Sequence, residues 1–380
     1  MAKQAENDGA TITLAEYESA VRDTDVLPEH DHRPVLMGLY GEVGGIMATA
    51  KKHVREEKAY PGFRRAAEEE FGDTLWYLAA YCRRRQVSLD SIFRAATQGT
   101  TFIAECAASD FGSGAIAHVF VPSTSIQIDD TLFHLGLAAA ALLEASDDET
   151  LLVSRLERFA RCFLSALHAS QLSFASVARM NIAKTRGAFI SPDLSTLPTF
   201  DDEFAEEERI PFAFRIRVEQ RRSGRSQLRW NDVFIGDPLT DNIRDPDGYR
   251  FHDVFHFAHA AILHWSPVFR ALIKQKRKSD ALFDEAEDGG RASVVEEGLT
   301  AWIFSRAKEL NYFEGQERIS FGLLKTIQEF TAGYEVSRCP LKLWERAILD
   351  GYSVFRSVRD AGGGWVVGDR LTRTLRYEPL

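Results

Sequence analysis

The stretch that decides the fold of the first half of the chain is Glu68-Glu69-Glu70-Phe71-Gly72-Asp73-Thr74-Leu75-Trp76-Tyr77. Glu70 and Asp73 are three residues apart, so both carboxylates leave the same face of a helix. That face continues into apolar residues, beginning at Leu75. Carboxylates beside a buried face are costly unless a cation lies between them. Mg²⁺ prefers such oxygen ligands, so the stretch predicts a helix that carries a magnesium site.

A second helix with an acidic residue precedes this one. Residues 34–53 have the apolar spacing of a helix, and Glu42 lies among its apolar positions. Glu42 is therefore a third candidate ligand. The ordinary alternative for residues 68–70 is a solvated acidic helix face, as most acidic runs are. The apolar residues that follow Asp73 favour the metal site over that alternative.

The pattern of the first helices recurs later in the chain. Residues 86–94 align with residues 171–179 without a gap, and residues 136–139 loosely resemble residues 38–41. The second copy lacks the acids, because Arg155 and Arg158 stand where the first has Glu70 and Asp73. Residues 99–128 have little helical pattern and indicate a connection. We therefore predict two fused helical halves, residues 12–98 and 129–190, that form an internal pseudo-dimer with one acidic face.

The acidic residues resemble the motif of a known family. Glu42, with the run from Glu69 to Trp76, is similar to the ExxE…ExxD signature of the MazG-like nucleoside triphosphate pyrophosphohydrolases, all-α enzymes related to the dimeric dUTPases. Residues 180–186 resemble the Asn-x-x-Lys segment that closes that domain, with Asn181 and Lys184 at its motif positions. The resemblance covers about residues 12–190. It implies a mainly α fold, with a MazG-like helical bundle built from the two fused halves.

The resemblance also implies roles for individual residues. Glu42, Glu70 and Asp73, supported by Glu69, would hold Mg²⁺ (or Mn²⁺) on a nucleoside triphosphate and act as the catalytic residues. The metal would polarise the α-phosphorus and activate a water, which gives a nucleoside monophosphate and pyrophosphate. The residues expected to bind phosphate or base are Lys51, Lys52, Trp76, Asn181, Lys184 and Arg186. A tryptophan in this position is more often a core residue than a base-stacking group.

The chain departs from the family at Gly45, where the first motif has a second glutamate. The loss of one ligand predicts either a site with a single metal ion or a domain that binds nucleotide without hydrolysing it. Glu69 is the candidate replacement. The strongest alternative function is therefore a non-catalytic nucleotide-binding or sensor protein, in which binding survives and turnover is absent.

The second half of the chain has a different pattern. Residues 191–211 contain prolines and an acidic run, which predicts an acidic linker. Residues 212–218 and 227–235 alternate as short strands, residues 249–276 and 292–310 are periodic as helices, and the chain ends in a predicted hairpin. Two more predicted helices lie between residues 321 and 359. We predict a second, α-rich domain at residues 212–380 with a few short β-strands.

This second domain carries its own set of candidate ligands. His252, Asp253 and His256 share one predicted helix, and Glu296 and Glu297 lie on another. The basic residues between them include Lys274, Lys276 and Lys278. Histidines with carboxylates suit transition metals or Mn²⁺ as well as Mg²⁺, and the lysines suit a phosphate group. The sequence thus predicts a second metal and nucleotide site.

Several interpretations of this second set stay open. Histidines in an aromatic helix are often core residues, and residues 274–278 would then be a solvated helix end. The layout also resembles a diverged second copy of the MazG-like arrangement, at about residues 249–360. His252 beside Asp253 further resembles an HD phosphohydrolase, although the additional histidine and aspartate of that family have no clear position here. In a last alternative, all the chemistry belongs to a histidine-metal phosphohydrolase in this domain.

The bulk composition limits the remaining classes of function. A net charge of −10 over 380 residues argues against general nucleic-acid binding. The four cysteines lie far apart and no apolar run could span a membrane, so we expect a cytoplasmic location. We expect an enzyme that hydrolyses nucleoside triphosphates with Mg²⁺, in pool sanitation or in nucleotide depletion during phage defence. Assembly into a homodimer is left open.

Overall fold

The computed structural model describes residues 13–97, 128–144 and 148–380. The chain divides into two compact units, Met1–Ile190 and Ser191–Leu380. The described parts of the first unit are helical, and the second unit combines helices with a five-stranded antiparallel sheet. The predicted fold class, mainly α with a few short strands, is therefore confirmed. No helix in the described part of the chain is long and apolar enough to cross a membrane.

The first unit is a bundle of long helices. Their bounds are α1 Leu14–Thr24, α2 Arg33–Glu56, α3 Phe63–Arg84, α4 Leu89–Thr97, α5 Ile128–Leu143, α6 Glu149–Ala169 and α7 Phe174–Phe189. α1 begins with a capping box, in which Thr13 Oγ1 accepts from the Glu16 N–H (3.1 Å) and the Glu16 carboxylate accepts from the Thr13 N–H (2.7 Å). Nearly all of the predicted connection at residues 99–128 lies outside the described residues.

The two predicted halves of this unit contain a turn of the same conformation. Gln86 follows α3 with φ of 57°, and Gln171 follows α6 with φ of 56°. In both turns the next residue donates a backbone hydrogen bond to the carbonyl five residues before it, at 2.9 and 3.2 Å. These turns lie in the two segments whose sequences align, so sequence and backbone agree locally between the halves.

The halves interlock through their last helices. α2 packs on α3 and α5 packs on α6, whereas α7 packs on α3 and α4 packs on α6. Aromatic rings fill the space between them: Phe71 and Phe163 lie 5.5 Å apart, and Phe93 and Phe174 lie 5.2 Å apart. Because α7 belongs to the second half and α3 to the first, side chains of both halves meet along the acidic face of α3.

The second unit is built on an antiparallel sheet of order β3-β2-β1-β4-β5. Its strands are β1 Ala213–Gln220, β2 Ser226–Trp230, β3 Val233–Leu239, β4 Gly363–Asp369 and β5 Thr374–Glu378. The single strand predicted at residues 227–235 is wrong, because it is the hairpin β2–β3. Asn231 and Asp232 both have positive φ (48° and 61°), which is the geometry of a tight two-residue turn.

The helices of the second unit lie between and beside these strands. Their bounds are α8 Asp253–Ala258, α9 Pro267–Ile273, α10 Ala281–Ala286, α11 Gly290–Glu309, α12 Phe321–Thr331 and α13 Leu341–Ala361. The continuous helix predicted at residues 249–276 is broken. A 3₁₀ turn (Tyr249–Phe251) precedes α8, a π-helical turn (His259–Leu263) follows it, and His264 has φ of 61° before α9 begins. The predicted second copy at residues 249–360 stays a hypothesis.

A buried ion network ties residues 191–211 into the second unit. Asp201 is fully buried and pairs with Arg270 and Arg370, each at 2.6 Å. Arg277 is also buried and pairs with Asp288 and Glu335, each at 2.7 Å. The acidic stretch is therefore not a free linker, since its aspartate neutralises buried arginines. Acidic composition alone could not distinguish a solvated linker from a segment whose aspartate is buried in ion pairs.

Candidate functional site

The acidic face of α3 meets residues from both halves of the first unit. Glu69, Glu70 and Asp73 lie on α3, and Glu42 lies on the neighbouring α2; we call these four the carboxylate cluster. α7 brings two polar side chains to it. Asn181 Nδ2 donates to Asp73 Oδ1 at 3.0 Å, and Lys184 Nζ pairs with Asp73 Oδ2 and with Glu69 Oε1 (2.8 Å).

The charges of this cluster are imperfectly balanced. Burial raises the pKa of Glu42, and the neighbouring carboxylates of Asp73 and Glu70 raise it further, to about 7. Burial would lower the pKa of Lys184, but the Asp73 and Glu69 carboxylates outweigh burial and raise it. The ionised form of Glu42 is therefore disfavoured by its neighbours, and a divalent cation among these carboxylates would stabilise it.

The position of Glu70 explains how the chain accommodates Gly45. A Cβ atom at residue 45 would lie 2.1 Å from Glu70 Oε2, so the carboxylate of Glu70 fills the space above the glycine. A second glutamate at residue 45, as in the family motif, would compete with Glu70 for that volume. The space left by Gly45 is therefore occupied by the Glu70 carboxylate from α3.

Two aromatic residues on this side of the bundle have structural contacts. Tyr17 is fully buried on α1 and donates its hydroxyl to Asn181 Oδ1 at 3.0 Å, which turns the amide nitrogen toward Asp73. Sequence reasoning missed Tyr17; its only signal was a tyrosine on the apolar face of α1. Trp76 is 8% exposed, and its Nε1 donates to Thr24 Oγ1 at 3.0 Å. The structure thus places Trp76 in the core.

The remaining predicted phosphate ligands of the first unit lie on its surface. Lys51 and Arg186 are exposed. Lys52 Nζ lies 4.2 Å from the centre of the Tyr60 ring and 3.9 Å from Glu56 Oε2. Lys52 therefore has contacts of its own with Tyr60 and Glu56 on this surface.

The second unit brings its predicted histidines and glutamates together. His252, Asp253, His256 and His259 come from α8 and its two flanking turns, and Glu296 and Glu297 come from α11; we call these six the histidine–carboxylate cluster. The imidazole nitrogens face the glutamates as follows: His256 Nδ1 to Glu296 Oε1, 3.0 Å; His256 Nε2 to Glu297 Oε2, 3.4 Å; His252 Nε2 to Glu297 Oε2, 3.6 Å. The prediction from sequence that these residues are neighbours agrees with these distances.

Glu296 is the fixed centre of this cluster. It is fully buried and accepts hydrogen bonds from Ser266 Oγ (2.8 Å) and the Val268 N–H (3.0 Å), and its Oε1 lies 2.9 Å from His259 Nδ1. Burial would raise its pKa, but His256 and His259 lower it to about 2. Burial would likewise lower the pKa of His256, but Glu296 and Glu297 raise it to about 10.

Three residues of this environment were missed in the sequence. His259 and Ser266 hold Glu296, and the backbone carbonyl of Tyr249 lies 2.9 Å from His252 Nδ1. His259 follows His256 by three residues and could have been found by helical spacing. Ser266 could not, because the π-helical turn and the break at His264 decide where it lies.

A cavity of about 670 Å³ adjoins the cluster. Its lining is mainly apolar and includes Trp230, Phe234, Val268 and Leu272, with Glu297 and Lys274 as charged residues. Among the predicted lysines, Lys274 therefore shares this cavity with Glu297. Lys276 is half-buried and Lys278 is exposed. Arg277, between them, belongs to the buried ion network.

Comparison with known proteins gives one match. The search of curated proteins and the search of solved structures returned no match. Residues 195–380 match the family model described as the MazG C-terminal domain, a range that nearly coincides with the second unit. The resemblance of the acidic motif lies in the other unit, so the two observations are independent. The match supports a MazG-related protein.

Proposed function

We propose that the carboxylate cluster hydrolyses nucleoside triphosphates to a nucleoside monophosphate and pyrophosphate with Mg²⁺ or Mn²⁺. The observation that carries the proposal is the meeting of Glu42, Glu70 and Asp73 with Asn181 and Lys184 across the two halves. The close approach of these carboxylates, which raises the pKa of Glu42, fits a divalent cation between them. The match to a MazG-related family makes nucleotide hydrolysis the reaction class to test first.

The residues of this chain would divide the reaction between them. Glu42, Glu70 and Asp73 would hold the metal, with Glu69 positioned by Lys184. A bound metal supplies charge neutralisation at the triphosphate and activation of water. Water oxygen bonds to the α-phosphorus, and the bond from that phosphorus to the α,β-bridging oxygen breaks, so pyrophosphate leaves. The released proton would pass to a carboxylate of the cluster or to solvent.

Lys184 and Asn181 would neutralise and orient phosphate oxygens. In the structure both contact Asp73, so a metal at Asp73 would compete with the lysine. Both halves of the site lie in one chain, so a homodimer is not required to complete it. Such an activity would serve nucleotide pool sanitation or nucleotide depletion during phage infection.

The test is phosphorus NMR of product formation from a panel of NTPs and dNTPs with Mg²⁺ or Mn²⁺. We expect pyrophosphate with the wild type and at least a 100-fold loss with Glu70→Gln, a typical scale for removing a group that stabilises developing charge. Glu29→Gln is the matched control, because Glu29 is a 71% exposed carboxylate of the same unit. Substrate binding without product, with either metal, would instead favour the non-catalytic nucleotide-binding protein.

A second candidate function places the reaction in the second unit. The observation that favours it is the histidine–carboxylate cluster beside a cavity. It predicts that turnover falls with Glu297→Gln and persists with Glu70→Gln. Orthophosphate as the product would also favour this alternative.

A further inference from the structure

We propose that the histidine–carboxylate cluster binds a divalent transition-metal ion through His252, Asp253, His256 and Glu297. The site is separate from the carboxylate cluster, because all of its residues belong to the second unit. It does not depend on the function proposed above. Water or an anionic group entering from the adjoining cavity would be the remaining ligand.

The first argument is the spacing of the candidate ligand atoms. Nε2 of His252 and Nε2 of His256 lie 3.6 and 3.4 Å from Glu297 Oε2. These distances exceed a normal N–H···O hydrogen bond. Ligand atoms about 2.1 Å from a four- or five-coordinate ion lie roughly 3.0–3.6 Å from one another, which includes the two separations observed here. Ligand atoms of His252, Asp253 and His256 also lie within 4.8 Å of one another.

The second argument is the support of both histidines at their other nitrogen. His252 Nδ1 lies 2.9 Å from the carbonyl oxygen of Tyr249, which can only accept, so Nδ1 donates there and Nε2 is the nitrogen that faces the proposed ion. His256 Nδ1 faces the carboxylate of Glu296 at 3.0 Å, and Glu296 is itself held by Ser266. Histidines that bind metals are oriented in this way, by a carbonyl or a carboxylate on the nitrogen that does not bind.

The third argument is the state of His256. Its side chain is fully buried; its Nδ1 faces Glu296 Oε1 at 3.0 Å, but its Nε2 lies 3.4 Å from Glu297 Oε2, beyond a normal N–H···O hydrogen bond. A buried polar atom such as this Nε2 rarely lacks a close partner. The ordinary alternative is a buried imidazolium between two glutamates, and that arrangement would favour straight, short hydrogen bonds to both. A cation between Nε2 of His256 and Oε2 of Glu297 accounts better for the longer distance.

The composition of the site determines the class of ion and its access. Two imidazoles favour Zn²⁺, Co²⁺, Fe²⁺ or Mn²⁺ over Mg²⁺, which prefers oxygen. The Glu297 side chain is 43% exposed and lines the cavity, so one side of the ion would be open to solvent. Lys274 lines the same cavity and could attract an anionic ligand. An open coordination position is typical of catalytic rather than structural metal sites.

The test is a Co²⁺ titration of the full chain after its metals have been removed with a chelator. We expect one Co²⁺ ion per chain that millimolar Mg²⁺ does not displace. This ion should show the visible absorption bands of low-coordinate Co²⁺. Changes to the partners of a metal's ligands weaken metal binding by about 10- to 100-fold. Because Glu297 is itself a proposed ligand, Glu297→Gln should weaken Co²⁺ binding at least about 100-fold. Glu309→Gln, an exposed carboxylate on the same helix, should leave Co²⁺ affinity and the bands unchanged.

Two further variants decide the assignment. Glu70→Gln removes a carboxylate from the first unit and should leave the Co²⁺ bands intact. His252→Gln should abolish the Co²⁺ bands, and circular dichroism should show that this variant is folded. It therefore tests the site even if Glu297→Gln does not fold. Absence of Co²⁺ bands with the wild type, or their loss with Glu70→Gln and not with Glu297→Gln, would overturn the proposal.

Discussion

Replacing Glu42 by glutamine is expected to stabilise the metal-free protein above neutral pH. Glu42 has a pKa raised from 4.5 to about 7, because it is partly buried beside Asp73 and Glu70. The folded chain therefore binds more protons than the unfolded chain between these two pH values. Stability attributable to this group is present below about pH 4.5 and is lost as the pH rises toward 7. Glutamine carries no charge at any of these pH values, so the Glu42→Gln protein should not lose this stability as the pH rises.

The size of the effect follows from the shift. One pKa unit corresponds to about 1.4 kcal/mol, and Glu42 is only half-buried, so solvent screening reduces the total to about 1–2 kcal/mol. For a domain of this size each kcal/mol moves Tm by roughly 2–4 °C, so we expect an increase of about 2–8 °C at pH 8. At pH 5 the increase should nearly vanish, because Glu42 is then protonated in the folded state.

The assay is differential scanning calorimetry of the full chain in a chelator at pH 5 and pH 8. Glu29→Gln is the control, because its exposed carboxylate should change Tm only slightly. Adding Mg²⁺ at pH 8 should raise the Tm of the wild type more than that of Glu42→Gln, since the cation then neutralises the same charges. A lower Tm for Glu42→Gln at pH 8 in the chelator would refute the electrostatic reasoning.

Three further predictions concern single contacts. Gly45→Ala places a Cβ 2.1 Å from the Glu70 carboxylate, the end of a flexible side chain, so pyrophosphate release should fall at least about 10-fold with little change in Tm; unchanged turnover would contradict this role. Tyr17→Phe removes the donor to a buried amide oxygen and should cost about 1–3 kcal/mol in urea unfolding; no loss would show that the amide finds another partner. Arg277→Met leaves Asp288 buried without this partner and should cost about 3–5 kcal/mol by calorimetry; a neutral result would mean that the network rearranges.

Much of the first unit could be predicted from local sequence. The capping box at Thr13 and the apolar periodicity of α2 and α3 are local signals, and the structure follows them. The spacing of Glu70 and Asp73 placed both carboxylates on one face for the same reason. The orientation of Asn181 by Tyr17 joins residues 164 positions apart, so no spacing rule could reveal it.

The errors in the second unit come from long-range effects and from turn chemistry. The hairpin turn at Asn231 and Asp232 was overlooked because alternation continued across it, although both residues tolerate positive φ. The acidic composition around Asp201 predicts a linker, but buried ion pairs with Arg270 and Arg370 hold this aspartate in the second unit, and no local sequence signal shows those contacts. Arg277, within the basic run at residues 274–278, is buried by tertiary contacts of the same kind with Asp288 and Glu335.

The predicted fusion of two halves would explain why the acids occur in one half only. In the second half, Arg155 and Arg158 stand where the first has Glu70 and Asp73, and Arg155 pairs with Glu144 at 2.6 Å. The first half has Ala96 where the second has Asn181, so α4 brings no amide to α6. A symmetric dimer of identical chains would need acids and amide on every copy. If the halves are fused copies, that requirement no longer applies, because each half needs to keep only its own contribution. Acids at residues 155 and 158 alone would then not create a second site, because α4 has Ala96 where α7 has Asn181.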